Sequence, residues 1–258
     1  MLHVKRKAQD IDDWGLNDSS SDSSDSSSDE DDDQYNNNKR LKPSTSPLTM
    51  LPHELLCDIF ILSSNPDLPL TCRTLYYHLY NCCESVKMRW LLYRHDNDIQ
   101  AAFEAGVLFP FFTTDMLARF DLLYQTKIPY TKKKMPPHLF SRKRTIETDA
   151  MINQLLIRGG SPDKPKGYPL IKCAQLGHMD QVQLLIHHGA NPTLRNNMAL
   201  RVCAARNNMT MVLYFLDKLN VTPDSETLRA CVQKKLWKMV QVLVDHGAVP
   251  DMNTVNFT

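Results

Sequence analysis

Histidine and cysteine are the side chains of this sequence whose chemistry could extend to metal binding or nucleophilic catalysis. His178, His187, His188 and His246 share one half of the chain with Cys173, but their spacing fits no zinc-binding pattern. The sequence also contains no phosphate-binding P-loop, no dinucleotide-binding glycine motif, no H-E-x-x-H and no G-x-S-x-G. We therefore expect no catalytic residue, no metal site, no cofactor and no small-molecule substrate.

The cysteines indicate the cellular compartment. They number seven, which is odd, and none forms a C-x-x-C pair. The chain has no secretory signal segment and no apolar run long enough to span a membrane, so we expect it in the cytoplasm and/or the nucleus and away from membranes. In such a reducing compartment Cys57, Cys72 and the pair Cys82-Cys83 are interpreted as small buried residues without a redox role.

Charge is distributed unevenly along the chain. Residues 1–50 contain 6 Lys or Arg against 11 Asp or Glu, whereas the whole chain contains 30 against 29, so the remainder is mildly basic. From Asn17 to Asp33 the sequence is almost only serine and acidic residues, which cannot bury enough apolar surface to offset chain entropy. We predict that residues 1–47 form a disordered, acidic, Ser/Asp-rich tail.

This tail offers several functional interpretations. Serines that precede acidic residues suit acidophilic kinases, and a serine before proline suits proline-directed kinases. The candidate phosphosites are Ser26, Ser27, Ser28 and Ser46. The cluster at 39–42, Lys-Arg-Leu-Lys, is similar to a short nuclear import signal, with a plain linker as the alternative. For residues 17–33 a solubility tail and a nuclear binder of basic proteins both stay open.

Apolar residues return at helical spacing just after residue 50. Pro52 suits the first turn of a helix, where a missing amide donor costs nothing. The segment LPHELLCDIF then places five apolar residues on one predicted stripe, which are Leu51, Leu55, Leu56, Ile59 and Phe60. A break at 63–66 is followed by LPLTCRTLYYHLY and by a third apolar patch around Trp90. We predict three short helices over residues 48–94.

The Leu-Pro helix start, the Glu-Leu-Leu, the Ile-Phe one turn later and the Cys-Arg-x-Leu after a proline break together resemble an F-box. The resemblance implies a module that docks on the Skp-type adaptor of an SCF-type (cullin-RING) ubiquitin ligase. The adaptor-binding residues it implies are Leu51, Pro52, Leu55, Ile59, Phe60, Leu70 and Cys72, with Leu75 and Trp90 as internal packing. The chain departs from the family in its short segment between helices, which carries Pro66 and Pro69. The alternative is a helix pair that only caps the following domain.

A repeat of about thirty residues runs through the C-terminal half of the chain. The pattern Leu-x-x-Cys begins at Leu170, Leu200 and Leu228, at spacings of 30 and 28 residues. A second apolar helix pattern follows each of them, and in VQLLIHHGANP and VQVLVDHGAVP a glycine near its end suits a left-handed helix cap. His187 and His246 lie just before this glycine, where a cation favours the helix C-terminus. Such units cannot bury their apolar faces alone and must stack on neighbours.

The repeat is similar to an ankyrin repeat array, which implies a protein-binding solenoid over residues 146–258. Where the family usually has Thr-Pro-Leu-His, this chain has Tyr-Pro-Leu-Ile at 168–171, and its connections between units are shorter. We therefore expect shortened β-hairpin fingers. Residues 95–145 are interpreted as one diverged ankyrin-like unit and a basic linker. The predicted fold is all-α: a disordered tail, a short F-box-like helical module and an ankyrin-type helical solenoid with shortened loops.

The basic linker contains two clusters, Lys132 to Lys134 and Arg142 to Arg144. Three interpretations compete for them: an acidic or nucleic-acid partner, a dock for the acidic tail, and a solvated loop. Without interleaved aromatic residues or a nucleic-acid-binding fold pattern, nucleic acid is the least favoured partner.

These features together predict a non-enzymatic adaptor for protein–protein interaction. The two resemblances imply the substrate receptor of an SCF-type ubiquitin ligase, in which the F-box-like module recruits the Skp-type adaptor and the array binds a target protein. A plain ankyrin scaffold whose Leu-Pro helices only cap the solenoid is the alternative. The predicted target-binding residues, on the loops and exposed first helices, are Arg195, Asn196, Asn197, Arg201, Arg206 and Arg229.

Overall fold

Residues 47–252 are described by the computed structural model, and they form helices and connecting loops without a β-strand. The prediction of an all-α chain is therefore confirmed. Apart from Pro47, the predicted tail lies outside the described residues, as do the last six residues of the chain. The basic cluster at 39–42 and the candidate phosphosites Ser26, Ser27, Ser28 and Ser46 belong to that tail, so they stay predictions.

Three helices form a module at the start of the described chain. They are α1 (His53–Ser63), α2 (Arg73–Leu75, continued by a π-helical turn at Tyr76–Tyr80) and α3 (Glu84–Arg94). α1 begins directly after Pro52 and ends at Ser64, whose left-handed backbone (φ 52°) stops the helix. The helix packs on α3 and on the π-helical turn, so these elements pack together as one module.

Two further helices connect this module to the repeats, α4 (Ile99–Gly106) and α5 (Thr114–Tyr124). A side-chain cap fixes the start of each helix. Asp98 accepts hydrogen bonds from the amides of Gln100 and Ala101, and Thr113 accepts one from the amide of Met116. α4 packs on both α3 and α5, which makes the helical stack continuous at this point.

The repeat region consists of paired helices that follow the predicted spacing. They are α6 (Ile146–Ile157), α7 (Tyr168–Leu176), α8 (Met179–His187), α9 (Leu194–Ala205), α10 (Met209–Leu213, continued by a π-helical turn at Tyr214–Lys218), α11 (Ser225–Gln233) and α12 (Trp237–Asp245). Helices α7, α9 and α11 carry the Leu-x-x-Cys pattern. α9 packs against both of the others, so these first helices form one row.

Small buried side chains allow these first helices to lie close together. α9 places Ala199, Cys203 and Ala204 in the interior, each at most 1% exposed. Cys173 on α7 and Cys231 on α11 are fully buried on the helices that flank it. Because protein interiors are packed as densely as organic crystals, larger side chains at these positions would force the row apart.

The segment interpreted as a basic linker is more structured than the sequence predicts. A 3-10 turn at Pro137–Phe140 contacts both α6 and α7, and it occupies the place of a first helix in the unit that ends with α6. Leu139 and Phe140 are buried in this turn, and Met135 just before it is fully buried. The repeated stacking therefore begins ahead of residue 146, because a short apolar turn replaces a helix that periodicity alone could not identify.

A largely buried ion pair joins α5 to the end of α6. Arg158, whose side chain is 4% exposed, donates to Asp121 at 2.5 Å and to the Gln154 side chain at 2.5 Å. Asp121 also accepts a hydrogen bond from the amide of Ile128. Removing one partner would leave the other charge largely buried and unpaired, so the pair links α5 to the end of α6.

We predict that enlarging one side chain of the first-helix row destabilises the protein. Ala204→Leu should lower the free energy of unfolding by about 1–3 kcal/mol, because the fully buried site has no room for three more carbon atoms. Urea unfolding followed by circular dichroism measures the change. Ala118→Leu, at an exposed position of α5, is the matched control and should be close to neutral. Equal effects of the two substitutions would show that the row is not closely packed.

Candidate protein-interaction surfaces

Helix α1 carries apolar side chains on two opposite faces. Leu56 and Phe60 point inward with their neighbours, at 2% and 5% exposure. Leu55, Ile59 and Leu62, spaced three and four residues apart, lie on the other side of a helix with 3.6 residues per turn. Leu55 is 49% and Leu62 64% exposed, and Ile59 is half-buried. We call Leu55, Ile59 and Leu62 the α1 stripe.

The implied adaptor face is therefore corrected at one position. Phe60 cannot contact a partner, because its ring stacks on Trp90 with centroids 5.1 Å apart in the interior. The sequence analysis placed Phe60 on the same stripe as Leu55 and Ile59 because Phe60 lies four residues after Leu56 and five after Leu55. Helical spacing alone does not separate these positions into an inner and an outer face. Trp90 and Leu75 are buried, in agreement with the internal packing expected of them.

The remaining residues of the implied face are accessible. Pro52 and Cys72 are exposed, Leu70 is 64% exposed and Leu51 is half-buried. The Cys72 side chain also has a structural role, since its sulfur accepts a hydrogen bond from the Leu75 amide at the start of α2. The short segment between the helices therefore leaves most of the implied face open to solvent.

Exposed tyrosines adjoin this face, and the sequence analysis did not single them out. Tyr76 and Tyr77, in the π-helical turn, are 43% and 71% exposed, and Tyr76 stacks on Tyr80 with centroids 4.7 Å apart. The rings of His53 on α1 and His78 in the turn lie 5.7 Å apart, so the two elements are neighbours. Tyrosine is enriched at protein interfaces, so composition could have indicated this turn.

The cysteines divide into buried and exposed groups. Burial raises the pKa of Cys82 to about 11, and it raises the pKa of Cys57 as well, so both stay protonated thiols. The expectation that all the N-terminal cysteines are buried is wrong for Cys72 and Cys83, which are exposed. A hydrogen bond with the Ser85 hydroxyl, 3.0 Å away, lowers the pKa of Cys83.

The cysteines of the repeats are all buried. Burial raises the pKa of Cys173 and Cys203 to about 12 and that of Cys231 to about 11, as expected for packing residues.

The repeat histidines take part in structural contacts. His178 lies 3.1 Å from the Gln181 side chain, which is buried and also donates to Asp149 at 2.7 Å. His246 contacts the Val242 carbonyl (2.7 Å) and a carboxylate oxygen of Asp217 (2.9 Å) in the preceding unit. Both contacts raise the pKa of His246, in line with the predicted cation at a helix C-terminus.

His187 and His188 contact each other edge to face, with ring centroids 5.5 Å apart. Within residues 47–252 no three His, Cys, Asp or Glu side chains are placed to hold a metal ion. In the same residues no helix is long and apolar enough to cross a membrane.

Two of the predicted target-binding residues hold the array together. Arg201 forms ion pairs with Asp224 (3.3 Å) and Glu226 of the next unit, and it donates to the Asn196 carbonyl at 3.0 Å. Asn197 donates to the Thr222 carbonyl at 3.0 Å. Arg201 is therefore an intramolecular clamp between α9 and α11, a role that sequence spacing could not distinguish from an exposed cation.

The other predicted target-binding residues remain open to solvent. Arg195 and Asn196 are exposed in a kink at the start of α9, where they and the next residue have left-handed backbones (φ 54–56°). Arg229 is half-exposed on α11. Arg206 is exposed and lines a shallow, open concavity of about 510 Å³ together with Lys234. These side chains do not converge on an enclosed site.

Comparison with known protein families gives one match, to part of the array. Residues 168–197, which cover α7, α8 and the first turn of α9, match the ankyrin repeat family. Ankyrin repeats are non-catalytic modules that bind proteins, so the array has a protein–protein interaction role and the predicted ankyrin-type solenoid is confirmed. The match does not reach residues 48–94, where the F-box resemblance depends on the residues alone. No curated protein sequence and no solved structure matches the chain.

We predict that Arg201 contributes to stability and Arg229 does not. Arg201→Met keeps most of the apolar stem but removes the charge that Asp224 and Glu226 share, and it should lower the free energy of unfolding by about 1 kcal/mol. Arg229→Met is the matched control on α11. Thermal and urea unfolding of both variants measure the difference. A loss for Arg229→Met as large as that for Arg201→Met, or larger, would contradict the assigned clamp.

Proposed function

We propose that this protein is the substrate receptor of an SCF-type (cullin-RING) ubiquitin ligase. In this proposal the helical module over residues 48–94 recruits the Skp-type adaptor, while the array binds the protein to be modified. The protein carries out no chemistry itself. It holds the target near the ligase, so that ubiquitin transfer becomes effectively intramolecular.

The observation that carries the proposal is the exposure of the α1 stripe. Soluble helices normally turn their apolar residues to the core, and α1 already buries Leu56 and Phe60 there. Leu55 and Leu62 therefore add exposed apolar surface that folding does not require. Leu70 and Tyr77, at 64% and 71% exposure, add further exposed apolar or aromatic surface to this module, and surface of this kind marks interaction sites.

A specific observation also supports the scaffold alternative. The buried face of α1 belongs to one hydrophobic core that continues from Leu56 to Ala248. The module therefore covers the end of the stack, as a capping element would. Capping requires only the inner face of α1, however, so it leaves the α1 stripe without a role.

We predict that charge on the α1 stripe abolishes adaptor capture. The full-length protein with Leu55→Glu/Leu62→Glu should bind an immobilised Skp-type adaptor at least about tenfold more weakly than the parent, because a docked stripe would bury both carboxylates. Circular dichroism should show unchanged helicity, since both positions are exposed.

The matched control for this experiment is Leu122→Glu/Ile146→Glu. These residues are 79% and 91% exposed on α5 and α6, so the same change in charge occurs away from the stripe. The control should bind the adaptor like the parent. If a well-folded parent does not capture the adaptor, the ligase proposal fails and the scaffold alternative replaces it.

A further inference from the structure

A cluster of lysines at the boundary between α5 and α6 has no role in the features described so far. The segments 130–135 and 158–164 run side by side there. The amides of Tyr130 and Lys132 donate to the carbonyls of Arg158 and Gly159 at 3.0 and 2.8 Å, and the amide of Ser161 donates to the Lys133 carbonyl at 3.0 Å. The chain thus forms a short paired finger in place of a solvated linker.

Close backbone approach makes this pairing possible. A Cβ atom at Gly160 would lie 2.8 Å from the Leu155 carbonyl oxygen, 3.1 Å from the Met135 sulfur and 3.2 Å from the Tyr130 ring. All three distances are shorter than ordinary van der Waals contact. Only glycine fits there, which explains the second glycine after α6. The Tyr130 hydroxyl donates to the Lys134 carbonyl at 2.6 Å, so the two ends of the first segment are tied together.

The pairing gathers four lysines that lie on two distant stretches of sequence. We call Lys132, Lys133, Lys134 and Lys164 the lysine finger. All four side chains are exposed. The Lys164 ammonium donates to the Lys132 carbonyl at 3.1 Å, which directly joins the two stretches. Gathering like charges costs free energy, so the cluster favours a partner of opposite sign.

Most of this charge is not neutralised within residues 47–252. Lys133 pairs with Glu104 on α4 at 2.6 Å, and the Gln100 side chain donates to the same carboxyl group at 2.8 Å. Asp163, beside Lys164 in the chain, accepts a hydrogen bond from the Asn191 amide. The other three lysines of the finger have no carboxylate within ion-pair distance among the described residues.

An apolar concavity of about 330 Å³ opens between the lysine finger and α4. Ala101, Ala105, Leu108 and Tyr130 contribute apolar lining, and Glu104, whose carboxylate pairs with Lys133, lines it together with Lys133 and Lys134. This volume suits one bulky aliphatic or aromatic side chain. The ring of Tyr130 is 1% exposed, so the finger offers no aromatic face on which a nucleic-acid base could stack.

We propose that the lysine finger and this concavity bind an acidic peptide segment of a target protein. Asp and Glu carboxylates of the segment contact Lys132, Lys134 and Lys164, and one bulky apolar side chain enters the concavity. The inference rests on the proposed role of the array as a target-binding module and specifies the chemistry of its target. It does not depend on adaptor docking by α1.

The test is fluorescence anisotropy of a labelled peptide with the full-length protein. The probe contains alternating Asp and Glu residues around a central Leu-Phe pair. Binding should weaken as salt is raised, because exposed charges are screened. Lys132→Gln/Lys134→Gln/Lys164→Gln should weaken it by about tenfold or more, as expected for three lost charge contacts. Replacing Leu-Phe by Ser-Ser in the probe should also weaken binding to the parent.

The matched control is Lys234→Gln/Lys235→Gln/Lys238→Gln, which removes three exposed lysines at the other end of the array. It should bind the probe like the parent. Three results would overturn the inference: no binding by the parent, equal losses in both variants, or tighter binding of a single-stranded oligonucleotide of matched charge. The finger variant should still capture the Skp-type adaptor, so failure here is distinguishable from failure of the ligase proposal.

Discussion

Close stacking of the first helices is the constraint on which the rest of the structure depends. A helix pair of this length cannot bury its apolar face alone, and it becomes stable only when the next pair covers it. Small residues such as Cys203 and Ala204 let α9 approach both neighbours, and Arg201 then ties α9 to α11 through Asp224. The same core continues into α1, so the N-terminal module gains stability from the array.

Because α1 and the array share one core, the faces that point into this core stabilise the protein, and the faces that point away from it are free to bind partners. The inner face of α1 is committed to Trp90 and α3, which leaves the α1 stripe available. At the boundary before α6 the backbone pairing serves stability, while the lysine side chains it carries stay exposed. The surfaces proposed for the adaptor and for the target therefore lie on different elements.

Helix positions and the repeat could be predicted from sequence because they depend on local periodicity. Leu170, Leu200 and Leu228 are buried where the spacing places them, and Leu75 and Trp90 pack inside the module. The inward position of Phe60 was missed because it depends on which side of α1 meets α3.

Tertiary partners explain the other differences. Sequence spacing does not distinguish Arg201 from an exposed cation, because its partner Asp224 belongs to the next repeat. The lysine finger exists only because two segments about thirty residues apart pair with each other.

The central proposal is that the N-terminal module docks on the adaptor. Hydrogen exchange of the full-length protein with and without the Skp-type adaptor tests this proposal most directly. The account predicts slower exchange in α1 and the π-helical turn and unchanged exchange in α7 to α12. Saturating adaptor that leaves α1 and the turn unprotected would contradict it.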